Sequence, residues 1–429
     1  MAKIYNLVVI LLVHIGLAHG TTSCKKDSIP YVPSLKKERI SSTGEFTGLV
    51  ILVEFSDTYF TAPNLKKNID SMLNSRGYAY QGAKGSVRDY FITNSDSLFF
   101  PHFNVTGPVR LPKPMAYYGQ KAENDEEIHA PEMIMEACKL ASGDIDFSEY
   151  DLNDDGLVDL VYVIYASYCQ NENISKHEYI YAHAGNIIDS CLMLNRKTIG
   201  RYACSSEYIG EDTDEEPQMT TIGTICHEFS HVLGLPDFYD TKIIPTELTL
   251  GTLSIMDRGN YQDKGRCPVG YSAFEREYVG WMDIPTIDPD SIVSITLNPV
   301  SSYSRGDTLL YAFKIAIPDT KEFFYFENRQ YEKWDRYLPA KGLFIYHVDL
   351  SDEKAWDRNE VNINSLQNYQ LIRSTGLAKA LDGYIPFPGI DNKMFFSPPP
   401  SRSGKDAEFE LRNIREKGNK IEFNLISKR

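Results

Sequence analysis

No Cys-x-x-Cys pair occurs in the sequence, which argues against a zinc site built on cysteine thiolates. No basic block occurs either. Lys and Arg number 44 against 59 Asp and Glu, a formal charge of −15, so nucleic acid and anionic membrane surfaces are poor partners for this chain. Beyond the N-terminus, no apolar run approaches the roughly 18 residues of a membrane helix. There is no internal repeat, which argues against a repeat architecture. What is present is a globular composition: 429 residues, 42% hydrophobic and 24% charged, enough chain for two or three domains. The 28 Tyr and 21 Phe favour aromatic-rich strands over helical bundles.

Lys3, an apolar stretch over 4–18 and Ala18-His19-Gly20 have the form of a secretory signal peptide spanning 1–20. The expectation is an exported protein: secreted, periplasmic or on the cell surface. Removing the leader takes away Lys3 and no acid, so −15 becomes −16. Cys24 follows the cut. It is a possible lipid anchor or, exclusive of that, a thiolate ligand in a latent precursor. Six further cysteines permit disulfides in an exported chain, and Cys191 and Cys204, flanking a probable hairpin, are the expected pair.

Residues 21–45, with Pro30 and Pro33, read as a linker or short pro-segment. Residues 48–55 (GLVILVEF) predict a buried strand, and 157–166 (LVDLVYVIYA) a second. Helical patterns lie near 62–75 and 85–94. A third covers 126–140, with Ile128, Met133, Ile134, Ala137 and Leu140 on one side. Residues 178–208 look like hairpin material. Beyond 285 the texture changes to short alternating strands at 291–297, 309–315, 322–327, 342–348 and 420–425, with no long helix.

Residues 220–240 read TTIGTICHEFSHVLGLPDFYD. His227, Glu228 and His231 form HExxH. On a helix four residues turn about 400°, so the two imidazoles emerge on one face and can share a metal, with Glu228 directed at a water. Gly234 permits the left-handed turn that ends a helix, and Pro236 prevents its continuation. The reversal brings Asp237 back as a third zinc ligand, with Asp240 as a competing carboxylate. About twenty residues on, Met256 in Ser254-Ile255-Met256-Asp257 resembles the Met-turn beneath the zinc of metzincins. Tyr261, close behind it, is a possible donor to a tetrahedral oxyanion.

This stretch resembles the immune inhibitor A family of secreted bacterial metallopeptidases, whose motif is HExxHxxGxxD. The resemblance extends to 85–91 (GSVRDYF), 150–166 (YDLNDDGLVDLVYVIYA), 201–207 (RYACSSE) and 272–281 (SAFEREYVGW), and to Glu327-Asn328-Arg329, His347-Val348-Asp349 and Phe387-Pro388-Gly389. It covers roughly 46–429. It implies an exported zinc endopeptidase acting on proteins or peptides, usually with structural calcium. The expected fold is α+β: a metzincin-like catalytic domain over 46–284, mixed sheet plus active-site helix, then a β-rich C-terminal domain over 285–429.

Asp151, Asn153 and Asp155, with Gly156 after them, match the start of an EF-hand loop. The carbonyl of Leu157 and the carboxylate of Asp159 extend the set as candidate calcium ligands. Tyr162 stands where a bidentate Glu belongs, so a true EF-hand is excluded and any calcium is structural. The acidic run 211–216 (EDTDEE) reads as a solvated loop or a second calcium site. Two other functions use the same motif: a non-catalytic adhesin that keeps the metal helix, and a zinc amidase acting on cell-wall peptides.

Overall fold

The computed structural model describes residues 40–122, 127–187, 192–242, 249–290, 294–363, 367–374 and 385–428. The expected leader, Cys24 and Cys191 lie outside them. No helix among the described residues is long and apolar enough to cross a membrane.

The first half runs β1 (Gly44–Glu54), α1 (Leu65–Asn74), α2 (Val87–Asn94), β2 (Phe99–Arg110), α3 (Met115–Tyr118), α4 (Ala130–Ala141), β3 (Val161–Tyr165) and β4 (His183–Asn186). A β5–β6 hairpin (Leu192–Leu194, Lys197–Ile199) follows, then β7 (Arg201–Ser206), the short β8 (Tyr208–Ile209) and β9 (Gln218–Met219), α5 (Ile222–Val232) and α6 (Ala273–Tyr278). Five strands form one sheet in the order β2-β1-β3-β7-β4. The first four are parallel and β4 is an antiparallel edge. The sequence of β1 shows little polar alternation because both sheet faces are covered. Phe46, Val50 and Leu52 enter one core with α1, α2 and α5; Leu49, Ile51 and Val53 enter a second with α4.

One expectation needs correction. The third helix starts at Ala130, with Pro131 in its first turn. Its inward face is Met133, Ile134, Ala137 and Cys138, while Ile128 and Leu140 are exposed. The long β2 has no counterpart in the sequence reading. It is an edge strand, where Pro101 and Pro108 are tolerated and blur the pattern.

The second half is antiparallel: β10 (Ser294–Leu297), β11 (Ala312–Ala316), β12 (Glu322–Arg329), β13 (Gly342–Asp349), a short α7 (Glu353–Asp357), β14 (Tyr369–Ile372), β15 (Phe395–Phe396), β16 (Phe409–Lys417) and β17 (Lys420–Ser427). The sheets β11-β12-β13-β14 and β10-β17-β16-β15 share one core. Alternation along β12 decides what else the first of these sheets touches. Phe324 and Phe326 face the core shared by the two sheets, whereas Tyr325 turns the other way and meets Phe274 of α6 at 5.2 Å between ring centres. Tyr369 likewise meets Phe238 at 4.8 Å. One hydrophobic core therefore runs from Ile40 to Ile385 across both halves.

Candidate metal centre

Helix α5 is pinned to the sheet by its apolar face. The Phe229 ring sits 4.9 Å from Phe91, 5.3 Å from Phe103 and 5.4 Å from Phe46. Gly223 lets the helix lie directly on the segment after Met256, since a Cβ there would meet the Asn260 carbonyl oxygen at 2.0 Å. At the other end Gly234 adopts φ 96° and its amide donates to His231 O at 2.8 Å, closing the helix as its sequence predicts.

The two imidazoles are oriented through their inner nitrogens. His227 Nδ1 donates to Ile255 O at 2.7 Å and His231 Nδ1 to Leu235 O at 2.8 Å. A carbonyl only accepts, so the protons sit on Nδ1 and both Nε2 atoms face the site. The turn after Gly234 returns Asp237 so that its Oδ1 lies 3.3 Å from His227 Nε2 and 3.4 Å from His231 Nε2. That oxygen and Glu228 Oε2 are buried without a hydrogen-bond partner. Two imidazole nitrogens and an orphaned carboxylate oxygen, converging in a buried site, form a donor set that suits zinc.

The electrostatics agree. Burial would raise the Asp237 carboxyl, but the two imidazoles outweigh it and hold the group well below the usual carboxylate range. Burial would lower His227, yet Asp237 and Glu228 lift it to about 9. Two carboxylates in one buried pocket call for a cation, and a metal would compete with protons for the same Nε2. Glu228 is shifted the other way: burial raises its pKa, against the pull of both histidines.

Met256 is fully buried. Its amide donates to Ser254 Oγ at 3.1 Å and its carbonyl accepts from Phe238 N at 2.9 Å, while its neighbour Ile255 holds His227. The segment thus anchors one imidazole, His227, through the Ile255 carbonyl. Asp240 instead caps a turn, accepting from Lys242 N at 2.9 Å. Tyr261 is 41% exposed and lines a recess beside α5, where desolvation and then Cys169, Glu172 and Glu228 raise its pKa. Two residues at the site have no counterpart in the sequence reading. Tyr239 faces Asp237, whose charge, followed by burial and Glu228, pushes the phenol up; its only signal was lying two residues past Asp237. Asn359, from the distant C-terminal half, donates from Nδ2 to Asp237 Oδ2 at 2.7 Å and accepts Asp237 N at 2.5 Å.

The acidic loop at 151–159 is held differently from the calcium reading. Lys197 Nζ lies 2.7 Å from Asp151 Oδ2 and 2.9 Å from Asp154 Oδ1. Asp151 also accepts the amides of Asp155 and Gly156, Asn153 Nδ2 donates to Asp155, Asp155 accepts Leu157 N, and Asp159 accepts Leu152 N. The oxygens are used by the loop's own amides and by a lysine, and this geometry gives calcium no support. Among the described residues the one gathered metal-type cluster is His227, Glu228 and His231. The expected disulfide is also corrected. Cys204 is a free, buried thiol facing His183 Nδ1 at 3.5 Å.

Asp159 provides a stability prediction. Burial, helped by Asp155 and Asp151, raises its carboxyl from 3.8 to about 6. The folded chain then holds a proton that the unfolded chain has released. Stability falls as pH rises from about 4 to about 6, and the loss is complete above that. Asp159→Asn keeps an acceptor for Leu152 and removes the buried charge. It is expected to stabilise by about 1–3 kcal/mol at pH 7.5 and by nothing near pH 3. Denaturant melts at the two pH values check this, and destabilisation at pH 7.5 contradicts it.

The site is a buried helix carrying His-Glu-His, closed by a carboxylate returning from the next turn. Comparison with known proteins places the chain: the family model for immune inhibitor A peptidase M6, catalytic domain, matches residues 44–282, and the chain belongs to that family. It is 24% identical over 351 residues to the pre-pro-metalloprotease PrtV of Vibrio cholerae serotype O1, covering 71% of this chain and 36% of that protein. It is 25% identical over 318 residues to immune inhibitor A of Bacillus thuringiensis subsp. alesti, covering 62% and 44%. The chain spans less than half the length of these curated relatives.

Proposed function

We propose that this chain is an exported zinc endopeptidase in which His227, His231 and Asp237 hold the metal and Glu228 is the general base. One observation carries the reading: Asp237 Oδ1, buried and unpartnered, stands 3.3 and 3.4 Å from two Nε2 atoms whose Nδ1 protons are already committed. Zinc bound there would supply a Lewis acid that polarises a scissile carbonyl and acidifies a water. The remaining work falls to the protein. Glu228 accepts the proton of the attacking water on its unpartnered Oε2 and delivers it to the leaving amine. A carboxyl raised by burial suits both halves of that transfer, since its affinity for a proton approaches that of the groups it serves. Tyr261, whose hydroxyl senses Glu228, donates to the developing oxyanion.

The metzincin-like assignment draws support from the mixed sheet with its antiparallel edge β4, from α5, and from buried Met256, next to the carbonyl that holds His227. The catalytic domain is assigned to 46–284 and the β-rich domain to 285–429. The apolar leader supports export.

The test is digestion of a denatured proteome by the processed protein, read by mass spectrometry. Peptides should be released, a strong chelator should stop their release, and zinc should restore it. Stoichiometric zinc with no cleavage would move the reading to a binding module. Cleavage confined to peptidoglycan peptides would move it to an amidase.

A further inference from the structure

Beside the N-terminal end of α5 lies a recess of about 260 Å³, lined by Glu172, Asp214, Thr224, Asn260, Tyr261 and Lys264, among others. Its lining reaches α5 through Thr221 and Thr224. Thr224 is four residues before Glu228 on α5, so the two share a helix face one turn apart. Tyr261 lines the same recess, and after burial the charges of Cys169, Glu172 and Glu228 raise its phenol.

Two carboxylates converge in this recess. Glu172 Oε2 accepts Gly210 N at 3.0 Å, which uses one of its acceptor sites. Asp214 folds over the same residue, its Oδ2 only 2.5 Å from where a Gly210 Cβ would stand. Asp214 belongs to the acidic run 211–216, which no role above has absorbed. The third polar group is Asn260, 4% exposed, whose Oδ1 has no hydrogen-bond partner. Against these acceptors stands Lys264, which is exposed. The positive end of the α5 dipole adds about half a charge and leaves the balance negative.

We propose that this recess takes a basic side chain of the substrate, arginine or lysine, at one fixed position beside the scissile bond, with Glu172 as the selecting charge. This rests on the peptidase reading. Burial, the largest effect on Glu172, raises its carboxyl, so a cation entering the recess would relieve a cost already present. Asp214, being exposed, is screened and adds less.

Two measurements separate this proposal from the peptidase reading. In the first, N-acetyl-arginine amide is titrated calorimetrically into the zinc-loaded full chain. It is expected to bind about tenfold more tightly than N-acetyl-norleucine amide. Glu172→Gln should erase that ratio, and Asp214→Asn, at an exposed position, should reduce it. Equal binding of the two probes, or a ratio unchanged in both variants, overturns the proposal. In the second, basic residues should be enriched about tenfold at one position beside the cuts made in a denatured proteome. Cleavage without that preference removes the recess assignment and leaves the peptidase standing. Arginine-selective binding without any cleavage does the reverse.

Discussion

Glu228→Gln is expected to lower peptide-bond hydrolysis by roughly 10²–10⁴-fold while zinc content and fold stay as in the wild type. A thousandfold loss corresponds to about 4 kcal/mol of transition-state stabilisation. The substitution keeps the shape and removes one capacity: a glutamine amide cannot take a proton from water at neutral pH. Glu228 is 3% exposed and its Oε2 has no partner, so the variant breaks no hydrogen bond at that oxygen. Burial already raises the carboxyl, so a neutral side chain is easier to bury and the melting temperature should not fall. The loss should appear in kcat, with KM little changed, because the proton transfer belongs to the transition state.

The same residue sets an acid limb: activity should decline as pH falls through the Glu228 pKa of the zinc-loaded protein. That limb should be missing from the residual activity of the glutamine variant. Full activity in Glu228→Gln would remove the glutamate from the mechanism.

What was legible in the sequence depended on how far apart the cooperating residues lie. His227, Glu228, His231, Gly234 and Asp237 sit on one helix and the turn that ends it, so spacing alone brings them together. β1 and β3 were legible because a strand covered on both faces must be apolar throughout. β2 was not, because an edge strand has fewer neighbours to satisfy and accommodates proline. At 151–159 the acids alternate as a cation loop requires, and Lys197 reaches Asp151 from β6. Local spacing reports that positive charge is wanted, not which group supplies it.

Asn359 is the extreme case, and it carries the second large prediction. It lies beyond residue 282, where the family match ends, yet it touches Asp237 twice. Its position is built by the fold. Asp352 caps α7 through Ala355 N at 3.2 Å, and Trp356 is fixed by its indole to Asp349 O at 3.0 Å and packs on Phe238 and Phe274. Three residues past this anchor, Asn359 takes φ 59°, a conformation that asparagine tolerates better than most side chains. Its carboxamide then meets the Asp237 amide with its oxygen and Asp237 Oδ2 with its nitrogen, leaving Oδ1 for the metal site. The β-rich half reaches the centre a second way, through the buried Arg329, which donates to Leu253 O and Gly270 O on either side of the Met256 segment.

Asn359→Ala removes both hydrogen bonds and frees Asp237, the proposed third ligand, to swing. Loss of such an outer partner is expected to weaken zinc binding by about 10–100-fold, measured by competition with a chelator of known affinity. Asn359→Asp separates orientation from mere contact. It retains an acceptor for Asp237 N and the left-handed preference, but sets a negative charge against Oδ2 where a donor stood. It should therefore bind zinc no better than the alanine variant. Asn359→Gly, which frees the backbone and deletes the amide, should resemble alanine if the hydrogen bonds matter and wild type if only the turn does. Wild-type zinc affinity in both Asn359→Ala and Asn359→Asp would reduce the contact to packing and detach the C-terminal half from the metal site.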